Sequence, residues 1–378
     1  MKQISQITEP IKQAAHRAGF ELAGIAPVRD LPELKHFPGW IEAGYAGEMK
    51  YMEARDQAGQ LKRASLRSTA PWARSVIVCA INYNTPHPYS TQVDDPERGW
   101  ISRYAWSQQD YHEAVMRRLR IVEKSLRDTV GERGQHVLAP GRQTPALQTC
   151  CYVDTGPLVE RVYAKHAGVG WIGKNTCILN QKLGSWLFLG VILTSLELEP
   201  DLPAPDRCGT CTRCIDACPT DALIAPYQLD SNKCISYLTI EKRGPIQEEM
   251  RQGIGRHVFG CDICQDVCPW NRKAPATGAE EFRAREGLVN PALEWLAEMS
   301  AEEFREKFRG SPIRRAKPAG LRRNAAIAMG NSGNPRFLPV LENLRADDDP
   351  VVAESARWGL EQLSRSADPK PESSVRKS

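Results

Sequence analysis

Seven of the twelve cysteines fall in two tight groups: Cys208, Cys211, Cys214 and Cys218, then Cys261, Cys264 and Cys268, with Cys234 between them. The first group reads C-x-x-C-x-x-C-x-x-x-C and is followed by Pro219, the spacing of bacterial two-cluster iron–sulfur segments. Thiolates two residues apart reach neighbouring irons of one cubane from a single tight turn. The fourth, carried away by the proline, serves the other cluster. The second group is one ligand short, and Cys234 can supply it. Cys208, Cys211, Cys214 and Cys268 are therefore expected to hold one 4Fe-4S cluster, and Cys218, Cys234, Cys261 and Cys264 the other. Paired C-x-x-C also builds zinc ribbons, but the three-residue gaps and the prolines Pro219 and Pro269 favour iron and sulfur. The C-x-x-x-C-x-x-C of radical-SAM sites is absent. Disulfides are a poor explanation in a chain that shows no export signal.

Two adjacent clusters move single electrons, so the chain is either a carrier or an enzyme with a redox centre elsewhere. Several short motifs bear on that choice. Gly168-Val-Gly170-Trp-Ile-Gly173 spells a dinucleotide fingerprint, but a helix precedes it and a strand-like run follows, the reverse of what the fingerprint needs. Asp154-Thr-Gly156 spells the aspartic-protease triplet, a chemistry that needs two carboxylates sharing a proton, and no second copy exists. The bland alternative for Asp154 is a helix cap. Asp110-Tyr-His112 matches half of the Asp-x-His-x-x-Gly cobalamin motif, with Val115 where glycine belongs. Cys79 and the pair Cys150-Cys151 read as structural.

From Phe304 to Arg323, eight basic residues (Arg305, Lys307, Arg309, Arg314, Arg315, Lys317, Arg322, Arg323) meet one acid, Glu306. Lys+Arg 50 against Asp+Glu 46 leaves the whole chain at only +4. A solvated helix face alternates signs, so this run points to a phosphate-bearing partner such as RNA.

The 378 residues, 41% hydrophobic and 25% charged, suit two or three ordinary domains. Residues 1 to about 200 read as α/β. Thr8 would cap a first helix with Pro10 in its first turn, and Phe20–Ala26 would follow as a strand. Ser75–Ile81 is a buried strand. Asp110 caps a helix to Val130, with Glu113 completing a capping box and Val115, Met116, Leu119, Val122 and Leu126 along its apolar face. Leu138–Gln148 reads as a loop. Thr155–Ala167 reads as a helix opened by Pro157. Thr176–Leu179 and Trp186–Leu193 read as strands joined through Gly184. A proline-rich linker, Pro200–Pro205, introduces the cysteines. The remainder is helical from Asn290 to Ser364, where 324–330 and 354–360 align loosely as HEAT-like repeats, the later helix starting at Asp349-Pro350. The tail from Ala367 reads as disordered. No apolar run approaches a membrane span, and the N-terminus lacks a signal-peptide core, so a cytoplasmic location is expected.

Six further stretches occur in order: Ser102-Arg-Tyr-Ala105, Asp110-Tyr-His112, Tyr152-Val-Asp154-Thr-Gly-Pro157, Leu158-Val-Glu-Arg161, Gly168-Val-Gly-Trp-Ile-Gly-Lys174 and Cys234-Ile-Ser-Tyr-Leu-Thr-Ile240. With the cysteines and Cys268-Pro-Trp-Asn271, they make the chain resemble the epoxyqueuosine reductases over nearly its whole length. The resemblance implies an oxidoreductase that uses cobalamin to remove the epoxide oxygen of epoxyqueuosine at the tRNA wobble position. It implies an α+β fold: a catalytic domain similar to the cobalamin domain of reductive dehalogenases (nitroreductase-like, 1–200), a two-cluster ferredoxin-like domain (201–275), a HEAT-like helical domain (290–365) and a tail (366–378). Arg63, Arg103, Asp110, His112, Asp154, Ile178, Leu179 and Asn180 would line the cobalamin pocket. Ser236, Cys261 and Asp262 would approach it from the cluster side. A cluster beside the corrin would reduce the cobalt, and Asp154 would protonate the departing oxygen. An ordinary aspartate, with a pKa of about 3.9, needs burial to serve there, against the pull of a nearby helix N-terminus. Arg243, Arg314, Arg315, Lys317, Arg322 and Arg323 would contact tRNA. A flavodoxin- or ferredoxin-like donor would supply electrons to a monomer that needs no membrane. A reductive dehalogenase, or a carrier with an RNA-binding tail, are the competing readings.

Overall fold

The run Ser-Val-Ile-Val-Cys-Ala-Ile-Asn is apolar on both faces, and it forms a central strand with every residue buried. The computed structural model describes residues 2–137 and 146–367. Its strands are β1 (Leu22–Pro27), β2 (Ser75–Asn82), β3 (Trp100–Ile101), β4 (Thr149–Tyr152), β5 (Trp171–Ile172), β6 (Ile178–Leu179), β7 (Leu187–Thr194) and β8 (His257–Phe259). The chain divides into two compact units, each assembled from separate stretches. The first takes Met1–His87, Trp106–Asn232 and Asp262–Arg285, and the second takes the rest.

In the first unit one sheet runs in the order β1-β2-β7-β4, antiparallel throughout. The expected α/β arrangement is thus corrected to α+β: neighbouring strands alternate in direction, so no crossover helices are required. Val76, Val78 and Ala80 on one face of β2 pack with Val162, Tyr163 and Ala164 of the helix Glu160–His166. Gly190, opposite Cys79, faces the other way. A Cβ there would lie 2.8 Å from Val115 and Leu119, so glycine lets the helix Tyr111–Val137 settle against β7. Val115, Leu119, Val122 and Leu126 are fully buried as the periodicity predicts, while Met116 is only half-buried.

Two local expectations are overturned in this unit. The first helix runs Lys2–Arg17 with Pro10 inside it. Thr8 does not cap it; its hydroxyl accepts the Glu199 N–H. Burial of Ile11, Ala14 and Ala15 outweighs the one backbone bond that proline forfeits. The helix expected from Thr155 starts only at Glu160, because Asp154 adopts φ 60° and the chain turns through Pro157 first. The strands expected on either side of Gly184 are present as β6 and β7; β6 closes a hairpin with β5, and Asn180 and Gly184 exchange backbone bonds of 2.8 and 2.9 Å at the turn that follows. The glycine fingerprint therefore opens a strand, as its context foretold. Of the loop expected at Leu138–Gln148, residues 138–145 lie outside the described chain, as do residues 368–378 of the tail.

In the second unit β3 and β8 pair in parallel. Long helices span Lys317–Ser332 and Pro350–Ala367. Asp349 caps the latter, its carboxylate accepting the N–H groups of Val351 and Val352 at 2.9 and 3.3 Å. A Cβ on Gly330 would lie 2.7 Å from Gly359 Cα, so these two helices meet backbone to backbone. Among the described residues no helix is long and apolar enough to cross a membrane.

Candidate functional site

Three polar residues converge in the first unit, from the start of the Tyr111–Val137 helix and the turn after β4. Asp110 accepts the backbone N–H of His112 at 3.0 Å and pairs with its Nδ1 at 2.8 Å. His112 Nε2 lies 3.7 Å from Asp154 Oδ2, and the Tyr111 hydroxyl donates to the same oxygen at 3.1 Å. Tyr111 is held flat against Phe188 of β7, ring centres 4.4 Å apart and planes within 5°. Burial disfavours the imidazolium, but the bond to Asp110 and the nearby Asp154 outweigh it and lift the His112 pKa to about 9. Burial likewise works against ionised Asp110, and the bonds from His112 overcome it and keep the carboxyl below its ordinary range.

His112 is thus a cation at neutral pH with both ring nitrogens turned to carboxylates, and offers no lone pair to a metal. Such a donor set fits a corrin held without a histidine ligand from the chain. Asp154 is not a helix cap, since the helix starts six residues later. Its side chain is 54% exposed, so the chain alone does not provide the expected burial. That desolvation is left to whatever docks over it.

The other expected pocket residues are more dispersed. Arg63 donates to the Tyr51 carbonyl at 2.7 Å and lies over its ring. Ile178 and Leu179 are buried in β6. Asn180 spends its amide on the Val169 carbonyl (2.8 Å) and on the N–H groups of Lys182 and Leu183. Its side chain thereby braces the turn that follows β6. Asp262 is buried and accepts from Gln265. Arg103, Ser236 and Cys261 belong to the second unit. There Arg103 is buried beside the Pro88 carbonyl and the Tyr89 ring, and Ser236 donates to the Cys261 carbonyl.

Cys268 packs with Cys208, Trp171, Leu179 and Trp270 in a dry pocket of the first unit. Burial, then the neighbouring Cys208 and Cys214, push its thiol up to about 11. Cys214 is raised by burial and by Cys208 and Cys211. Metal binding would draw the protons off Cys214 and Cys268, which their surroundings hold as thiols. Lys174 fixes the loop, donating to the carbonyls of Gly209 and Cys211 at 2.7 and 3.0 Å. Cys218 and Cys264 lie in the first unit, and Cys234 and Cys261 in the second.

Sequence reasoning missed Tyr111, Glu160, Lys174 and Cys177 as members of these sites. Glu160 Oε1 is shut off from solvent and makes no hydrogen bond, and Cys177 hydrogen-bonds Cys264. Tyr111, Glu160 and Lys174 stand in the family-like stretches, the one signal that singles them out.

The basic run divides. Arg305, Lys307, Arg309, Arg314, Arg315 and Lys317 are exposed. Arg315 pairs with Glu241 at 2.5 Å and Arg322 with Asp347 at 2.8 Å. Arg243 donates to the carbonyls of Ile240 and Ala316. Arg323, expected on the RNA surface, is 1% exposed and donates to the carbonyls of Leu238 (2.7 Å), Lys242 (2.8 Å) and Gly244 (3.0 Å). It is a core strut, not a phosphate contact.

The sequence and the fold both match known proteins. Residues 63–155 match the family described as "Epoxyqueuosine reductase QueG, DUF1730", and residues 207–271 match the "4Fe-4S double cluster binding domain". An epoxyqueuosine reductase of Xanthomonas campestris is 39% identical over 355 residues, 93% of this chain and 95% of its own. One from Synechocystis is 43% identical, over 80% of this chain and 98% of its own. The chain belongs to the epoxyqueuosine reductase family. A crystal structure of epoxyqueuosine reductase with an epoxyqueuosine-modified tRNA-Tyr stem loop superposes with TM-score 0.82 at 28% identity, covering 98% of this chain and 96% of the other.

As an epoxyqueuosine reductase family member with a double-cluster segment, the chain should take up about eight irons on anaerobic reconstitution. Cys268→Ser should retain about four, with the ligands of the other cluster untouched. Cys234→Ser should cost the complementary half, and unchanged iron in either variant would strike that cysteine from the ligand set. A second expectation concerns His112. Its folded pKa is raised above the ordinary histidine value of 6.5, so the stability it contributes is complete below pH 6.5 and is lost as pH rises through about 9. Urea midpoints of the wild type should fall across that window, and His112→Asn should flatten the decline. Parallel curves would refute the ion pair.

Proposed function

We propose that this protein is an oxidoreductase that reduces epoxyqueuosine to queuosine at the wobble position of tRNA. The observation that carries this reading is the Asp110–His112–Asp154 constellation with Tyr111, found in a chain whose family is shown and whose solved relative holds an epoxyqueuosine-modified stem loop. Cobalamin is the cofactor implied by the residues that resemble the family's pocket, and when bound it would supply the reducing centre for the epoxide. Asp110, His112, Asp154 and Arg63 would hold it and the substrate, with Arg103, Ser236 and Asp262 as further contacts.

Asp154 delivers a proton to the epoxide oxygen as its bond to carbon breaks. Tyr111 aims the carboxyl by its hydrogen bond. His112, held cationic by Asp110, places a fixed positive charge where the oxygen gains negative charge, an arrangement worth most where water is excluded. Cys208, Cys211, Cys214 and Cys268 bind one cluster and Cys218, Cys234, Cys261 and Cys264 the other, so electrons from a flavodoxin- or ferredoxin-like donor enter one at a time. We read 1–200 as the catalytic part, 201–275 as the cluster part and the helices of 290–365 as a HEAT-like platform whose exposed cations meet the tRNA backbone in a cytoplasmic, monomeric enzyme. Reconstituted protein with cobalamin and a chemical reductant should convert an epoxyqueuosine stem loop to a product one oxygen lighter by mass spectrometry. An unchanged substrate mass under full cluster and cobalamin loading would overturn the assignment.

A further inference from the structure

Removing an epoxide oxygen as water breaks two C–O bonds, forms one C=C bond and makes two O–H bonds. The reaction therefore consumes two electrons, which the external one-electron donor supplies through the clusters, and two protons. Asp154 holds one proton at most. Asp154, whose side chain is 54% exposed in the free chain, must therefore be reprotonated before a second delivery, either from solvent or from a neighbouring group.

Glu160 meets the requirement by position. It opens the helix directly after the turn that carries Asp154, within reach of Asp154's charge. Its Oε1 is shut off from solvent and has no hydrogen-bond partner, an arrangement that is costly for a carboxylate and mild for a carboxylic acid. The charged groups that act on it are Asp154, which disfavours ionisation, and Arg161 and Arg63, which favour it. Tyr111 and His112 contact Asp154 from the long helix. Glu160 lies in one of the family-like stretches, but no role has so far fallen to it.

We propose that Glu160 stores the second proton of the reaction and passes it to Asp154 after Asp154 has protonated the epoxide oxygen. It acts through Asp154, not on the substrate, and the proposal rests on Asp154 being the proton donor. The transfer is balanced: Glu160 loses the proton, Asp154 regains it, and the hydroxyl oxygen leaves as water with the second proton. Burial first, then the repulsion from Asp154, lifts the Glu160 carboxyl to about 7. It is therefore substantially protonated in the neutral range and exchanges with solvent between turnovers.

Infrared difference spectra across a pH series test the store without turnover, using cluster-loaded protein lacking cobalamin and RNA. A protonated-carboxyl band should titrate with a midpoint near 7. Glu160→Gln should abolish it, and Asp154→Asn, by removing the neighbouring charge, should move the midpoint down. Absence of such a band in the wild type, or its persistence in Glu160→Gln, would overturn the proposal. The Asp154→Asn shift keeps the test decisive if Glu160→Gln folds poorly. In single turnover on the modified stem loop, Glu160→Gln should be slowed about tenfold or more and lose the rate decline near pH 7, within the range of proton-transfer effects. A Glu160→Gln rate and pH profile equal to wild type, with Asp154→Asn inactive, would reject the store while leaving the donor in place. A fully active Asp154→Asn would reject the donor itself, and the store with it.

Discussion

Asp154→Asn should reduce epoxyqueuosine stem loop about 100 to 10,000 times more slowly than wild type in single turnover, the span that general acid catalysis typically covers. The substitution is clean for a structural reason. Asp154 sits at φ 60°, a region asparagine enters almost as readily as aspartate, so the turn before the Glu160 helix should survive. The amide oxygen can still accept the Tyr111 hydroxyl, and His112 keeps its bond to Asp110. What disappears is a removable proton facing the substrate. The two proteins are to be compared at matched cobalamin occupancy, since Asp154 is also a pocket residue. Rates within threefold would remove Asp154 as the essential acid.

Reversing Arg309, Arg314 and Lys317 to glutamate should weaken tRNA binding about a hundredfold or more at low salt and lower the slope of log K against log salt by about 2–3. All three side chains are exposed, and phosphate contacts position RNA without reading its sequence, so the loss should be equal for unmodified and modified stem loops. Arg315 and Arg322 are left alone because Glu241 and Asp347 already engage them. Arg323 must be left alone for a stronger reason. Its removal strands the buried carbonyl of Leu238, at about 1–3 kcal/mol, and frees the partly buried carbonyls of Lys242 and Gly244, so its variants would report unfolding instead of affinity. Filter binding across a salt series, beside a thermal melt, separates the two. Wild-type affinity and slope in the triple variant would place the RNA elsewhere.

Arg323 also marks where sequence stops being informative. In the string it is one more cation in a run of eight, because charge counting carries no information on which side of a helix meets a core. The cysteines were legible because ligand spacing is local: a turn of backbone sets which thiols can reach one cubane. β2 was legible for a similar reason, since eight residues with no polar alternation have no exposed face to offer. The long helix announced itself by periodicity and by Asp110. The first helix did not, because proline usually marks a beginning and here tertiary burial carries the helix through it. The charge on His112 was invisible too. It depends first on how the Asp110 carboxylate turns toward the ring and then on Asp154, far along the chain from His112, and such placements are fixed only by the fold. Glu160 was in plain view within a quoted stretch, yet nothing in the string says that one of its oxygens lacks water.

The arrangement of β2 sets a clock on synthesis. Its hydrogen-bonding edge toward β7 stays open until Leu187–Thr194 has been made, about a hundred residues after Asn82. At roughly 5–20 residues per second that is an interval on the order of 5–20 s, during which a wholly apolar strand has only β1 beside it. Neither compact unit can finish early, because the first needs residues up to Arg285 and the second draws on the chain to its end. A nascent chain of this protein should therefore expose apolar surface for a prolonged interval, and slowing translation should lower its soluble yield.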